Sequence, residues 1–282
     1  MTPKQCGKQD IEILIEPPRR LGAVNWRELW EFRELLQQMV WRDVTVRYKQ
    51  TALGIAWAVL TPLITVAIFT LIFGLWGRLP TNGVPAPAFF LAGLIAYNFF
   101  AAALTGSANS MLSQRGLLTK IYFPRLIAPL SATVAPLVDL LIAFGVVQAL
   151  ALYYGFIPNW RLLWVVPLCV LWAWATAFGL GLWLAALNVH YRDVGQLVPF
   201  LTRVWLFASP VIYPVSMIPA KWHWLYGLNP MVGVIEWLRW GLFTTVPQPS
   251  PVLWLSMLVS AVLLVTGLWY FRRTEHAFAD LV

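Results

Sequence analysis

Six long apolar runs, parted by short polar breaks, organise this chain. The first covers residues 53–76 and holds no charged side chain. The others cover about 88–111, 126–153, 162–189, 194–215 and 252–271. A helix needs about 20 apolar residues to cross hydrocarbon. It is also one of two backbone forms that satisfy their own amides there. The pattern predicts an all-α membrane protein with six transmembrane helices. An even number of spans leaves both termini on one side.

A different pattern precedes the first span. At about 100° per residue, Trp26, Leu29, Trp30, Leu36, Val40, Trp41, Val44 and Tyr48 share one side of a helix. Arg27, Glu28, Glu31, Glu34 and Arg42 fall opposite, while Arg33 and Arg47 sit on the apolar stripe and must snorkel. Asn25 can cap this helix, with Glu28 as the reciprocal acceptor. It reads as an interfacial amphipathic helix lying on the membrane. The alternative, a helix packed on a soluble domain, has no such domain to receive it.

Residues 216–250 are too interrupted for a span and long for a loop. Asn229-Pro230 is a helix start, and Glu236 and Arg239 are one turn apart and can pair. Two short re-entrant helices between spans five and six are expected here. They dip into the outer leaflet, with Trp222, Trp224, Tyr226, Trp237 and Trp240 at headgroup depth. Reading them as further spans would bury Lys221, Glu236 and Arg239. The chain thus divides into a tail and interfacial helix (1–50), a six-span domain (51–271) and a short tail (272–282).

Composition agrees. Of 282 residues 60% are hydrophobic and 11% charged, against about 25% charged in a typical soluble domain. The net charge of +8 is not a nucleic-acid signal, because its positions follow the spans. Nine of the 20 Lys and Arg precede residue 53, and Arg115, Lys120, Arg125, Arg192, Arg272 and Arg273 lie in segments on that same side. Arg78, Arg161, Lys221 and Arg239 fall on the other, and Arg203 within a span. The positive-inside rule then places both termini in the cytoplasm. Cys6 and Cys169 are expected as free thiols. Residues 1–20 are polar, so the first span itself is expected to serve as the insertion signal.

Catalytic patterns are missing. There is no G-x-x-x-x-G-K-[ST] phosphate loop, no H-E-x-x-H, and no nucleophile elbow. His190, His223 and His276 are scattered and read as solvated.

Four segments carry a family resemblance. VRYKQTALGIAWAVLTPL leads into the first span, KIYFPRLIAPLSA follows the second, ALNVHYRDVGQLVPF the fourth, and SPVIYPVSMIPAKWHWLYGLNPM the fifth. In that order they resemble the permease subunits of type-2 ABC polysaccharide exporters, over about residues 26–275. The resemblance implies a homodimer exporting O-antigen, capsule or teichoic-acid chains on lipid carriers. It implies two copies of a separate P-loop ATPase that binds ATP and Mg²⁺, and no cofactor in this chain. A drug or small-lipid exporter of related architecture is the alternative. A membrane enzyme acting on a lipid-linked sugar is disfavoured by the missing catalytic cluster. Arg203 departs from the family's usually uncharged fifth span.

The resemblance also assigns segments. Loop 113–125 would hold a coupling helix docking on the ATPase, with Leu117, Leu118, Ile121 and Phe123 as apolar anchor and Arg115, Lys120 and Arg125 as charged rim. Alternatively its charges only hold orientation. Arg42, Arg47 and Lys49 stand where a lipid-linked substrate presents phosphate, or are simple membrane anchors.

Two intramembrane charges remain. Asp139 lies about 13 residues into the third span, roughly 20 Å deep, and Arg203 about nine residues into the fifth, roughly 14 Å deep. They are expected to pair, within a protomer or across the dimer. Otherwise Asp139 faces a wet channel and Arg203 snorkels. Of 17 Trp, Trp172, Trp174 and Trp205 lie away from span ends, and either line a path for sugar or pack helices. Gly179 and Gly181 permit close helix approach in the fourth span.

Overall fold

The computed structural model describes residues 26–49, 56–118, 120–191 and 193–275. The Asn25 cap, Cys6, the start of the first span, Arg192 and His276 lie outside the described residues. Every regular element among those described is helical. Two helices, α1 (Trp26–Glu31) and α2 (Arg33–Lys49), form the amphipathic segment. The span helices are α3 (Ala56–Phe69, continued by π-helical turns over Thr70–Trp76), α4 (Ala86–Ser113), α6 and α7 (Ile127–Val134 and Leu137–Tyr153), α8 (Arg161–His190), α9 (Val194–Ala208) and α12 (Trp254–Thr274). Between them lie α5 (Arg115–Leu118), α10 (His223–Tyr226) and α11 (Pro230–Leu242). Among the described residues, five segments are long and apolar enough to cross a membrane, and α9 is a shorter apolar helix.

The central element is α4, buried along nearly its whole length. Lipid is as apolar as leucine, so hydrophobicity alone cannot bury one span among others; close packing and interhelical hydrogen bonds must do it. Both are present. Asn188 on α8 donates to Ala108 O at 3.0 Å and Asn109 Oδ1 at 3.1 Å on α4. Thr176 on α8 donates to Ser260 Oγ on α12 at 2.9 Å. The α8–α12 crossing is closer still: a Cβ added at Gly267 would lie 2.1 Å from Gly179 O. Where α8 meets α4, one at Gly181 would lie 2.5 Å from the Ser107 side chain. Only glycine fits such backbone contact. The small residues of the fourth span therefore serve as the sequence predicts.

Two spans depart from the predicted straight helices. The third breaks at Ala135–Pro136, where proline removes a donor. The α6 piece packs along α2, and α7 continues beyond. The fifth stops at Ala208, before Pro210; Ser209 is already extended. At 15 residues, α9 is about 22 Å long, short of a full crossing of about 30 Å.

The re-entrant segment differs in depth of burial. Of its two helices, α11 is packed inside against α4, α8 and α12 rather than resting among headgroups. Trp222 and Trp224 are exposed as expected, whereas Trp237 is buried. The Asn229-Pro230 start holds: Asn229 Oδ1 accepts from Met231 N at 3.0 Å. The same amide donates to Ala208 O at 3.0 Å and Ser209 Oγ at 3.2 Å, tying the end of α9 to the start of α11. Nearby, burial and a hydrogen bond to Tyr213 push the Tyr226 phenol well above its ordinary pKa, so it stays protonated and donates to Tyr213 Oη at 3.0 Å.

The bundle has two distinct ends. At one, Met39, Phe123, Ile127, Val189 and Phe271 form a cluster that joins α2, the loop after α4, and the ends of α8 and α12. At the other, Val215, Val232 and Leu253 cluster beside Tyr226. Arg115, Lys120, Arg125, Arg272 and Arg273 all fall at the first end, beside the amphipathic helix.

Candidate functional site

Where α2 meets the spans, an open cleft of about 580 Å³ runs between α3, α4 and α7. Its walls are mostly apolar: Trp57, Pro62, Ile95, Phe99, Leu140 and Ala143. Polar groups are few. Thr61 and Thr65 come from α3, Asn98 from α4, and Arg47, Tyr48 and Asp139 close the rim. Asn98 is the one exposed residue in the stretch 88–100 of α4. An amide facing a cleft from an otherwise buried span is costly without a partner of its own.

Arg47 and the Tyr48 hydroxyl, on the last turn of α2, both donate to the Asp139 carboxylate. The side chains of Arg47 and Asp139 are 41% and 33% exposed. Within the protomer this replaces the expected Asp139–Arg203 pair. Asp139 stands in the first turn of α7, three residues after Pro136, and α2 packs along the preceding α6, which brings Arg47 and Tyr48 to it. Arg203 instead lies exposed on α9, in a stripe with Leu197, Phe200, Val204 and Phe207. Of the other rim cations, Arg42 turns to its neighbour Asp43 at 2.9 and 3.1 Å, and Lys49 is exposed. Arg47 is the one that lines the cleft.

The three interior tryptophans are engaged in packing. Trp172 is buried and donates to Ser260 Oγ at 2.7 Å. Trp174 donates to Thr133 Oγ1 at 3.2 Å and stacks on Phe178. Trp205 donates to Asn229 Oδ1 at 2.9 Å and meets Phe100 edge-on. Trp172 offers no face to a channel in the protomer.

Loop 113–125 divides into an inner and an outer part. Phe123, expected as an exposed anchor, is 3% exposed and sits in the cluster under α2. Leu117 and Leu118 are half-buried against that cluster. What the loop presents outward is Arg115, Lys120, Ile121 (54% exposed) and Tyr122 (81%), with Arg125 half-buried. Tyr122 donates to Glu28 Oε1 on α1 at 3.4 Å. Sequence reasoning passed over Tyr122, Tyr48 and Asn98. A lone amide in an apolar run was a usable signal for Asn98; Tyr48 was hidden because its period matches the apolar stripe.

A family model described as ABC-2 type transporter matches residues 34–243. The chain belongs to the ABC-2 transporter family. The match spans α2 through α11, so cleft and loop both lie within the family region. This ABC-2 protein is 31% identical over 260 residues to the O-antigen export system permease protein RfbA of Myxococcus xanthus, covering 91% of this chain and 98% of that one. An RfbA of Klebsiella pneumoniae is 28% identical over 250 residues, covering 88% and 95%. The polysialic acid transport protein KpsM of Escherichia coli is 26% identical over 251 residues, covering 84% and 92%. As an ABC-2 chain with five long apolar helices, it is a multi-pass membrane protein of the transport class.

Proposed function

We propose that this chain is the permease of an ABC exporter that carries a lipid-linked polysaccharide, of O-antigen, capsule or teichoic-acid type, outward across the cytoplasmic membrane. The observation that carries this reading is the likeness to O-antigen export permeases over nearly the whole length of both chains. Two copies assemble with two copies of a separate ATPase, which binds ATP and Mg²⁺, and both termini face the cytoplasm. Lipid-linked substrate meets the chain at the cleft, where apolar walls suit a lipid tail and Arg47 suits its phosphate. Arg42 and Lys49 attract the anionic headgroup from the surface. The outward face of loop 113–125 is the ATPase contact, with Ile121 and Tyr122 as apolar anchors within a basic rim of Arg115, Lys120 and Arg125.

Deleting the gene in its host tests the reading. The expected result is lipid-linked polysaccharide retained on the inner leaflet and lost from the cell surface, restored by the wild-type gene. Unchanged surface polysaccharide would overturn it and favour export of a drug or small lipid.

A further inference from the structure

Asp139 is a second anion at a site whose substrate is itself anionic. It takes the Arg47 guanidinium and the Tyr48 hydroxyl, both donors on the rim of the cleft. Carboxylate and phosphate oxygens accept from such donors in the same way. The pair is partly open to solvent, so it can exchange partners. Resting on the phosphate reading of the cleft given above, we propose that Asp139 is a built-in phosphate mimic. It holds Arg47 and Tyr48 until a lipid diphosphate displaces it, and so screens the cleft against singly charged phospholipids.

The need for such a screen follows from the cleft's surroundings. Its long wall, α3, is exposed along its outer face, with Leu60, Leu63, Ile64 and Ile68 open to the surroundings. A rim open at the membrane surface would also meet ordinary anionic phospholipids, which a bilayer holds in excess of any export substrate. A bare arginine there would take the commonest phosphate. With Asp139 in place, a phosphodiester carrying one charge gains little by exchange with a carboxylate of equal charge. A diphosphate brings more charge and more acceptor oxygens, to hold Arg47 and Tyr48 together and to offer acceptors to the amide of Asn98, which lines the same cleft and has no hydrogen-bond partner among the described residues. The displaced Asp139 then frees α7 from the last turn of α2, which links substrate arrival to the position of the interfacial helix.

The test uses the full chain in nanodiscs and measures binding of three probes: farnesyl diphosphate, a short-chain phosphatidylglycerol, and inorganic pyrophosphate. Wild type should prefer farnesyl diphosphate over the other two. Asp139→Asn keeps the side-chain shape, and should raise phosphatidylglycerol affinity by about fivefold, the scale of a partly exposed ion pair. The diphosphate should gain less, so selectivity falls. Arg47→Gln should weaken both lipids, and adding Asp139→Asn to it should change nothing more. Asp139→Ser repeats the comparison if the Asn variant inserts poorly. Should the Asn variant keep wild-type selectivity while wild type still binds farnesyl diphosphate, the screen is overturned and the phosphate site stands. Weaker binding of every lipid in the Asn variant also overturns it, since Asp139 would then only position Arg47. If wild type binds no diphosphate lipid, both the screen and the phosphate site fail. Pyrophosphate binding as tight as farnesyl diphosphate would move the ligand from lipid to free phosphate and overturn the lipid assignment.

Discussion

Arg239 and Glu236, one helical turn apart on α11, form an ion pair in the interior, 3.3 Å between Nη1 and Oε1. Arg239 is 1% exposed. Its guanidinium also donates to Pro210 O at 2.6 Å, Val211 O at 2.8 Å and Phe89 O at 3.3 Å, and lies over the Phe89 ring. It thus satisfies carbonyls set free where the fifth span stops, and pins that end to α4 and α11. The two partners are not equivalent. Arg239→Gln leaves the buried Glu236 carboxylate without its counter-charge, holding only its backbone hydrogen bond at Val215, and strips several carbonyls of a donor; it should cost about 3–5 kcal/mol. Glu236→Gln removes the counter-charge but leaves Arg239 its carbonyls, and should cost less, about 1.5–3 kcal/mol. Detergent-induced unfolding of both variants checks the ranking; equal losses would contradict the hub role of Arg239.

The glycine crossing of α8 and α12 gives a second contrast. A methyl at Gly267 meets the Gly179 carbonyl at 2.1 Å, so Gly267→Ala must push two spans apart. At Gly145 on α7 an added Cβ finds open space, and Gly145→Ala should be neutral or stabilising by up to about 1 kcal/mol through helix propensity. Thermal unfolding of the two variants in the same lipid should separate them in opposite directions.

Much of this was legible in the sequence, and the failures share a cause. Hydropathy located the spans because bilayer thickness sets a length that a linear scan can see. The Asn229-Pro230 start and the Glu236–Arg239 pair were local, and local rules sufficed. The Arg47–Asp139 contact has no local signal, because it depends on α2 packing along α6, a tertiary contact between distant parts of the chain. Phe123 is apolar like Ile121, and nothing in the loop's sequence tells the two apart; only the tertiary fold shows the cluster beneath α2 that receives Phe123. The burial of α11 had no sequence signal, since a headgroup helix and an interior helix are both apolar and aromatic.

The loop after α4 supplies a prediction in which neighbouring residues fail differently. Ile121 and Tyr122 point out, while Phe123 points in. Ile121→Asp and Tyr122→Ala should abolish co-purification of the partner ATPase and leave unfolding unchanged. Leu118→Asp, half-buried, should lose the ATPase with some loss of stability. Phe123→Ala should instead destabilise the chain by about 3–5 kcal/mol, and hold the ATPase as long as it remains folded. Pull-down and unfolding measured on each variant decide it, and ATPase lost only with Phe123→Ala would move the docking surface elsewhere.

The three cations at the end of the interfacial helix should also separate. Arg47 lines the cleft and faces Asp139, Arg42 is held by Asp43, and Lys49 is exposed. If attraction to the membrane surface were their whole role, each neutralisation would matter alike, about 1 kcal/mol apiece, and salt would erase the effect. A direct phosphate contact predicts otherwise. Arg47→Gln should lower binding of a diphosphate lipid by about 10-fold or more, the scale of a charge-assisted hydrogen bond of about 1.5–3 kcal/mol. That loss should persist at high salt. Arg42→Gln and Lys49→Gln should each lower it by less, with the deficit fading as salt rises. Arg47→Lys decides between charge and geometry: a compact ammonium retains the charge but not the paired donors of the guanidinium, and should recover binding only in part. Full recovery by lysine would reduce Arg47 to a point charge, and equal salt-sensitive losses at all three positions would reduce the group to an anchor.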